Sequence, residues 1–132
     1  METNRYDKGI EVLQRMVSED TLNATVKRME QFSPSMAKLI VEFPYGSLYA
    51  RPGLDLKQKS LLTIAAMIAS GAATQLDFHI KGALNVGLTP NEIVEAVMHC
   101  VSYAGFPKTL DAMFVVMKVF EEQGITYEEG KG

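Results

Sequence analysis

The chain has 132 residues, of which 47% are apolar and 22% charged, and its formal net charge is only −3. This is the composition of an ordered globular chain with one core, expected to be a single domain over residues 1–132. Acids and bases are interleaved, so the concentrated basic stripe of a nucleic-acid-binding protein is missing.

The first segment, Asn4 to Ser18, spaces Tyr6, Ile10, Leu13 and Val17 as one face of an amphipathic helix. Its N-terminus carries no apolar signal core, which makes the cytoplasm the expected location. Asp20 or Thr21 is the expected cap of a second helix bearing Leu22, Val26 and Met29. Ser33-Pro34 then marks a restart, with a helix carrying Met36, Leu39, Ile40 and Phe43 that Pro44 should help to stop. Residues 43–54, with two proline turn signals and three aromatic rings, read as an irregular stretch tied down on a core or a neighbouring subunit. Arg51 precedes Pro52-Gly53, so its backbone is biased toward an extended form.

Asp55 is the expected cap of a central apolar helix, rich in small residues, that ends at Gly71. Its apolar run is broken by Thr63, Ser70 and Gly71, so it reads as a buried helix and not a membrane span. A further helix from about Ala73 to Val86, stopped by Gly87, sets Gln75 and His79 one turn apart on one face. Thr89-Pro-Asn-Glu92 is a capping box with proline at the first helical position. Its helix turns Ile93, Val97 and Cys100 or Val101 inward and ends near Ala104-Gly105. Pro107 opens a last helix, bearing Leu110, Phe114, Met117 and Val119-Phe120, which Gly124 ends; residues 126–132 read as a mobile tail. No stretch alternates with a period of two. The expected fold is all-α, with about six or seven helices, some apolar on more than one face as if covered by other subunits.

Cys100, the single cysteine, excludes an intrachain disulfide, a Cys-x-x-Cys pair and a cysteine-rich zinc site. Two histidines without a carboxylate at ligand spacing give no reason to expect a metal.

Four segments occur together and in order: Tyr49-Ala-Arg-Pro-Gly-Leu54, Ser60-Leu-Leu-Thr-Ile-Ala-Ala66, Phe78-His-Ile-Lys-Gly-Ala-Leu-Asn-Val-Gly87 with Thr89-Pro-Asn-Glu-Ile93, and Tyr103-Ala-Gly-Phe-Pro107. As a set they resemble the carboxymuconolactone decarboxylase family of the alkylhydroperoxidase D-like superfamily, over about Tyr6 to Phe120. The resemblance implies an all-helical homo-oligomer, a trimer or hexamer, acting without a cofactor on a small carboxylated lactone or related oxoacid in the breakdown of aromatic compounds. The superfamily's peroxidase branch uses a Cys-x-x-Cys pair, a histidine and an upstream glutamate. Here the histidine is kept as His79, while Ala72, Gln75 and Ser60 stand at the cysteine and glutamate positions. Thiol peroxidase chemistry needs an attacking and a resolving thiol and is therefore disfavoured.

Loss of carbon dioxide from such a lactone leaves an electron pair that spreads into the lactone carbonyl. It calls for hydrogen-bond donors at that oxygen, a proton for the ring carbon and a cation for the substrate's carboxylate. His79 is the candidate catalytic residue, as acid or electrostatic donor. Arg51, whose guanidinium can bind a carboxylate through two hydrogen bonds, is the candidate anchor. Gln75, Tyr49 and His99 are further candidates for substrate binding. His99 and Cys100 point about 100° apart on their helix and cannot readily share a pocket. Asp77 reads as a solvated helix acid. The alternative reading is a helical oligomer that binds a small ligand or a protein without catalysis.

Overall fold

A computed structural model describes residues 4–130, and these contain seven helices and no strand. They are α1 (Arg5–Met16), α2 (residues 19–32), α3 (residues 34–49), α4 (Leu56–Ser70), α5 (Ala73–Asn85), α6 (Pro90–His99, extended by a short turn Val101–Ala104) and α7 (Phe106–Glu122). The chain divides into two compact units, Met1–Leu56 and Lys57–Gly132. No described helix is long and apolar enough to cross a membrane.

In the first unit, α1 begins where Asn4 Oδ1 accepts a hydrogen bond from Asp7 N at 2.8 Å. It buries Gly9, Val12, Leu13 and Met16. The cap of α2 is Ser18, whose Oγ accepts from Thr21 N at 3.2 Å, two residues before the expected Asp20. Ser18 wins because it sits directly after the extended Val17, where a short hydroxyl can reach the free N–H groups of the next turn. Within α2, Asn23–Lys27 is wound as a π-helix. Ser33 caps α3 as expected, with Pro34 in the first turn.

Pro44 does not stop α3. The helix widens into a π-helix over Val41–Tyr49 and carries the proline inside it. Proline lacks an N–H and its ring clashes with the carbonyl four residues back in an α-helix; the wider winding gives the ring room. Phe43 to Tyr49 is therefore helical, and the irregular stretch shrinks to residues 50–55.

α1 packs against this π-wound half of α3 through backbone contact. A Cβ on Gly9 would overlap the Val41 carbonyl oxygen, and one on Gly46 would overlap that of Arg5. Arg5 ties the same pair of helices by donating to Ser47 Oγ at 3.2 Å and by pairing with Glu42 at 3.3 Å. Beside this contact Tyr45 is buried and stacks on Tyr49, with ring centroids 5.0 Å apart.

The second unit is built on side chains. Ile64, Ile68, Leu76, Ile80, Ile93, Val97, Val116, Val119 and Phe120 form one contiguous buried cluster. The stops at Gly71 and Gly87 carry φ of +76° and +106°, conformations that a side chain disfavours. The Thr89 capping box is complete: Glu92 N donates to Thr89 Oγ1 at 3.1 Å and Thr89 N to Glu92 Oε1 at 2.9 Å. The buried face of α7 is Thr109, Ala112, Val116, Val119 and Phe120, so Phe106, Leu110, Phe114 and Met117 line the opposite, exposed face. After Gly124 the chain folds back, and Tyr127 lies against Phe120 at 6.4 Å between ring centroids; residues 131 and 132 fall outside the described part of the expected tail.

Candidate active site

His79 sits in the middle of α5, between the buried Leu76 and Ile80 of the same helix. It is partly buried, its ring meets Phe78 edge-on at 5.1 Å, and its Nδ1 is shut off from solvent with no hydrogen-bond partner among the described residues. Burial disfavours the charged imidazolium and lowers the pKa from 6.5 to about 4. At neutral pH the ring is therefore uncharged, offering one N–H donor and one acceptor nitrogen. Gln75 lies one turn earlier on α5 and is exposed. Asp77 is not merely solvated. It pairs with Lys81 at 2.8 Å and Lys118 at 3.6 Å, and Glu122 completes a small charge network joining α5 to α7.

Two more hydroxyls resemble the histidine in being buried without a partner among the described residues, namely Ser60 Oγ and Thr109 Oγ1. Ser60 was noted in the sequence only as the occupant of the superfamily's glutamate position, and Thr109 was not singled out at all. An unpaired hydroxyl in an apolar helix face leaves no mark in a hydrophobicity pattern. Cys100 is buried in the core of the second unit and donates to Ala96 O at 3.3 Å. Desolvation raises its pKa, so the thiol stays protonated, the reverse of what a nucleophilic cysteine needs.

Arg51 and Tyr49 come together in the first unit, on the wall of a cavity of about 670 Å³. The other charged residues around it are Lys8, Glu11 and Arg15 from α1, and Asp55. In the sequence Lys8 and Arg15 stand out only as polar positions of an amphipathic helix. Their spacing of seven residues, which sets them on one helical face, was the available signal. His99 is exposed on α6 and lines a separate open groove with Leu61, Asn91, Glu92 and Glu95, which neither Gln75 nor His79 enters. Its ring lies 5.7 Å from that of Tyr103. Among the described residues no three His, Cys, Asp or Glu side chains are grouped to hold a metal ion.

Residues 34–118 match the carboxymuconolactone decarboxylase family. A 4-carboxymuconolactone decarboxylase from Acinetobacter baylyi is 34% identical over 125 residues, covering 95% of this chain and 93% of that protein. A nitrosuccinic acid decarboxylase from Metarhizium robertsii is 36% identical over 117 residues, covering 89% and 82%. An uncharacterized 15.0 kDa protein of Paracoccus denitrificans is 31% identical over 100 residues, covering 74% and 75%. With the family match spanning well over half of the chain, and relatives this similar along nearly its full length, the chain belongs to the carboxymuconolactone decarboxylase family.

Proposed function

We propose that the protein is a cofactor-free carboxy-lyase of the 4-carboxymuconolactone decarboxylase type, acting on a small carboxylated lactone or a related acid. The observation that carries this reading is that two relatives, similar over most of their length, are both decarboxylases, although of different acids. The two named substrates share a chemical feature. Each sets the departing carboxylate where its electron pair can flow into an acceptor, a conjugated lactone carbonyl in one and a nitro group in the other.

In the proposed reaction the carbon–carbon bond to the carboxylate breaks and carbon dioxide leaves. The electron pair moves into the acceptor, and a proton is then delivered to carbon. His79, uncharged at neutral pH, serves as hydrogen-bond donor to the developing negative charge and as a relay for that proton. A neutral donor suits the task, because a full positive charge would also hold the departing carboxylate and stabilise the ground state. Arg51 is the anchor for a carboxylate that is retained, with Tyr49 beside it. Gln75 and His99 remain candidates for polar contacts to substrate.

The reading includes a homo-oligomer, a trimer or hexamer. Supporting it, Phe106, Leu110, Phe114 and Met117 form a stripe along α7 on which each side chain is at least half exposed. Met36, Leu39 and Phe43 form a similar stripe on α3. Apolar faces of this kind mark contact surfaces. Sedimentation of a Phe114→Glu variant should show smaller particles than the wild type.

The test of function is the ultraviolet-monitored loss of 4-carboxymuconolactone, generated in situ, with nitrosuccinate assayed in parallel. Wild-type turnover of either acid, reduced at least about a hundredfold in a folded His79→Ala protein, is the expected result. Full activity in that variant would remove His79 from the reaction, and an inert wild type would remove both substrates.

A further inference from the structure

The contact between α1 and α3 has a register that only one winding of α3 satisfies. On α1 the two points of closest approach, Arg5 and Gly9, are four residues apart, which an α-helix sets on one face and about 6 Å apart along its axis. Their partners on α3, Gly46 and Val41, are five residues apart. Wound as an α-helix, Val41 and Gly46 would point about 140° apart and could not both face α1. A π-helix bonds each N–H to the carbonyl five residues back, so it takes about 4.4 residues per turn and rises only about 1.2 Å per residue. That winding brings the two residues back to within about 50° of each other, again about 6 Å apart along the axis. Its last turn shows this bonding, with Ala50 N donating to Tyr45 O at 3.1 Å. In the preceding turn the spacing is ordinary, since the buried Ala37 and Val41 are four residues apart. The turn from Val41 to Gly46 therefore holds one residue more than an α-wound contact with α1 would need. Pro44, which has no N–H to donate and is only partly buried, is the residue whose removal would cost that contact least.

We infer that the five-residue turn is a positioning device for the cavity wall, with Pro44 as the positioning residue. Its ring bars the α-winding, and the wide turn continues to Tyr49, which lines the cavity with Ser47, Ala50 and Arg51. Without Pro44 the turn has four residues and closes as an α-helix, with Val41 and Gly46 still on α1. From Gly46 to Tyr49 each residue then turns about 100° in place of about 82°, so Tyr49 swings about 50° from its present direction. Pro44 is thus dispensable for joining α1 to α3 and needed for aiming Tyr49, and the turn at Arg51 after it, into the cavity. The inference deepens the proposed function by naming what places two of its candidate substrate-binding residues, and only its activity arm rests on that reading.

The test is deletion of Pro44 in the full chain, beside deletion of Lys38, an exposed residue of the α-wound turn between Ala37 and Val41. Removing a residue from an α-helix rotates one side of it against the other by about 100°. The Pro44 deletion should melt within about 3 °C of the wild type, and the Lys38 deletion at least about 10 °C lower. A crystal structure of the Pro44 deletion should show α3 wound as an α-helix, Gly46 still against Arg5, and the Tyr49 ring turned from its place on the cavity wall. In the decarboxylase assay its KM should rise at least about fivefold with kcat within about twofold of the wild type. A merely structural role would lower the active fraction, and so kcat, and leave KM unchanged. A Pro44 deletion that melts as low as the Lys38 deletion, or that keeps Tyr49 in its wild-type position, would overturn the inference. The two readings fail separately. A displaced Tyr49 with an unchanged KM upholds the positioning and removes Tyr49 and Arg51 from substrate binding. With a wild type inert toward both acids, melting and the crystal structure still decide the role of Pro44.

Discussion

The two units fill their interiors by different means. In Met1–Leu56, helices meet backbone to backbone, through Gly9 against Val41 and Gly46 against Arg5, and the helix that makes both contacts is wound wide enough to contain a proline. In Lys57–Gly132, ordinary α-helices meet through a contiguous set of aliphatic side chains, and glycine appears at the ends, where φ is positive. The difference teaches where each unit has room for polar chemistry. The first sets Lys8, Glu11, Arg15, Arg51 and Asp55 on the wall of an open cavity, whereas the second shuts three polar atoms, Nδ1 of His79 and the hydroxyls of Ser60 and Thr109, away from water.

The largest effect expected from this contrast is in the side-chain core. Ile80→Ala should cost about 2–5 kcal/mol, because Ile80 is fully buried and its neighbours cannot collapse completely into the space. Urea unfolding measures it, and a loss below about 1 kcal/mol would mean that the second unit is much more loosely packed than its burial implies.

Next comes the buried imidazole. In the unfolded chain His79 takes up a proton near pH 6.5, and in the folded protein only near about pH 4. Between those values the unfolded state binds more protons, so stability rises with pH across the window and is lost as the pH falls through it. The His79 contribution to that loss is at most about 3 kcal/mol. Unfolding curves for wild type and His79→Gln should therefore converge or cross on acidification from pH 7 to pH 4. Curves that stay parallel would show that His79 is hydrated in solution.

Gly46→Ala should destabilise the first unit by about 1–3 kcal/mol, since the added methyl meets the backbone of Arg5, which cannot rotate away as a side chain would. In most helix interiors the same change stabilises. A neutral or stabilising result would mean that α1 is not clamped to α3 there.

The smallest effect is at the cap. Thr89→Ala should cost about 1 kcal/mol, because Glu92 N loses its acceptor. Amide hydrogen exchange should localise the loss to the first turn of α6. Faster exchange spread through the second unit would instead make the cap part of its core.

The same contrast explains what could be read from the residues alone. The second unit was nearly transparent: Gly71, Gly87 and Gly105 stop helices, and the Thr89 box starts one, because caps and stops are decided within a turn of backbone. The first unit was not. Pro44 signals a helix end by local rules, and only the wide winding around it keeps it inside. Gly9 and Gly46 look like weak points in two helices until their partners across the contact are known. The apolar stripe of α7 was legible as a stripe, but its outward direction depends on which residues of the same helix pack best, and the smaller Ala112 and Val116 took the inner face. For the candidate site, residue types pointed to His79, Arg51 and Tyr49. Lys8 and Arg15 join Arg51 on one cavity wall only through the placement of α1 beside that turn, which no local pattern encodes.

The stacked pair Tyr45 and Tyr49 has an optical consequence. The chain contains five tyrosines and no tryptophan, so its near-ultraviolet emission comes from phenol rings alone. Burial, together with the neighbouring Tyr49, holds the Tyr45 phenol neutral well above the ordinary tyrosine range. An alkaline absorbance titration would then show Tyr45 ionising last, and only as the ring gains access to water. The chain thus carries its own reporter for the opening of the first unit, with no label added.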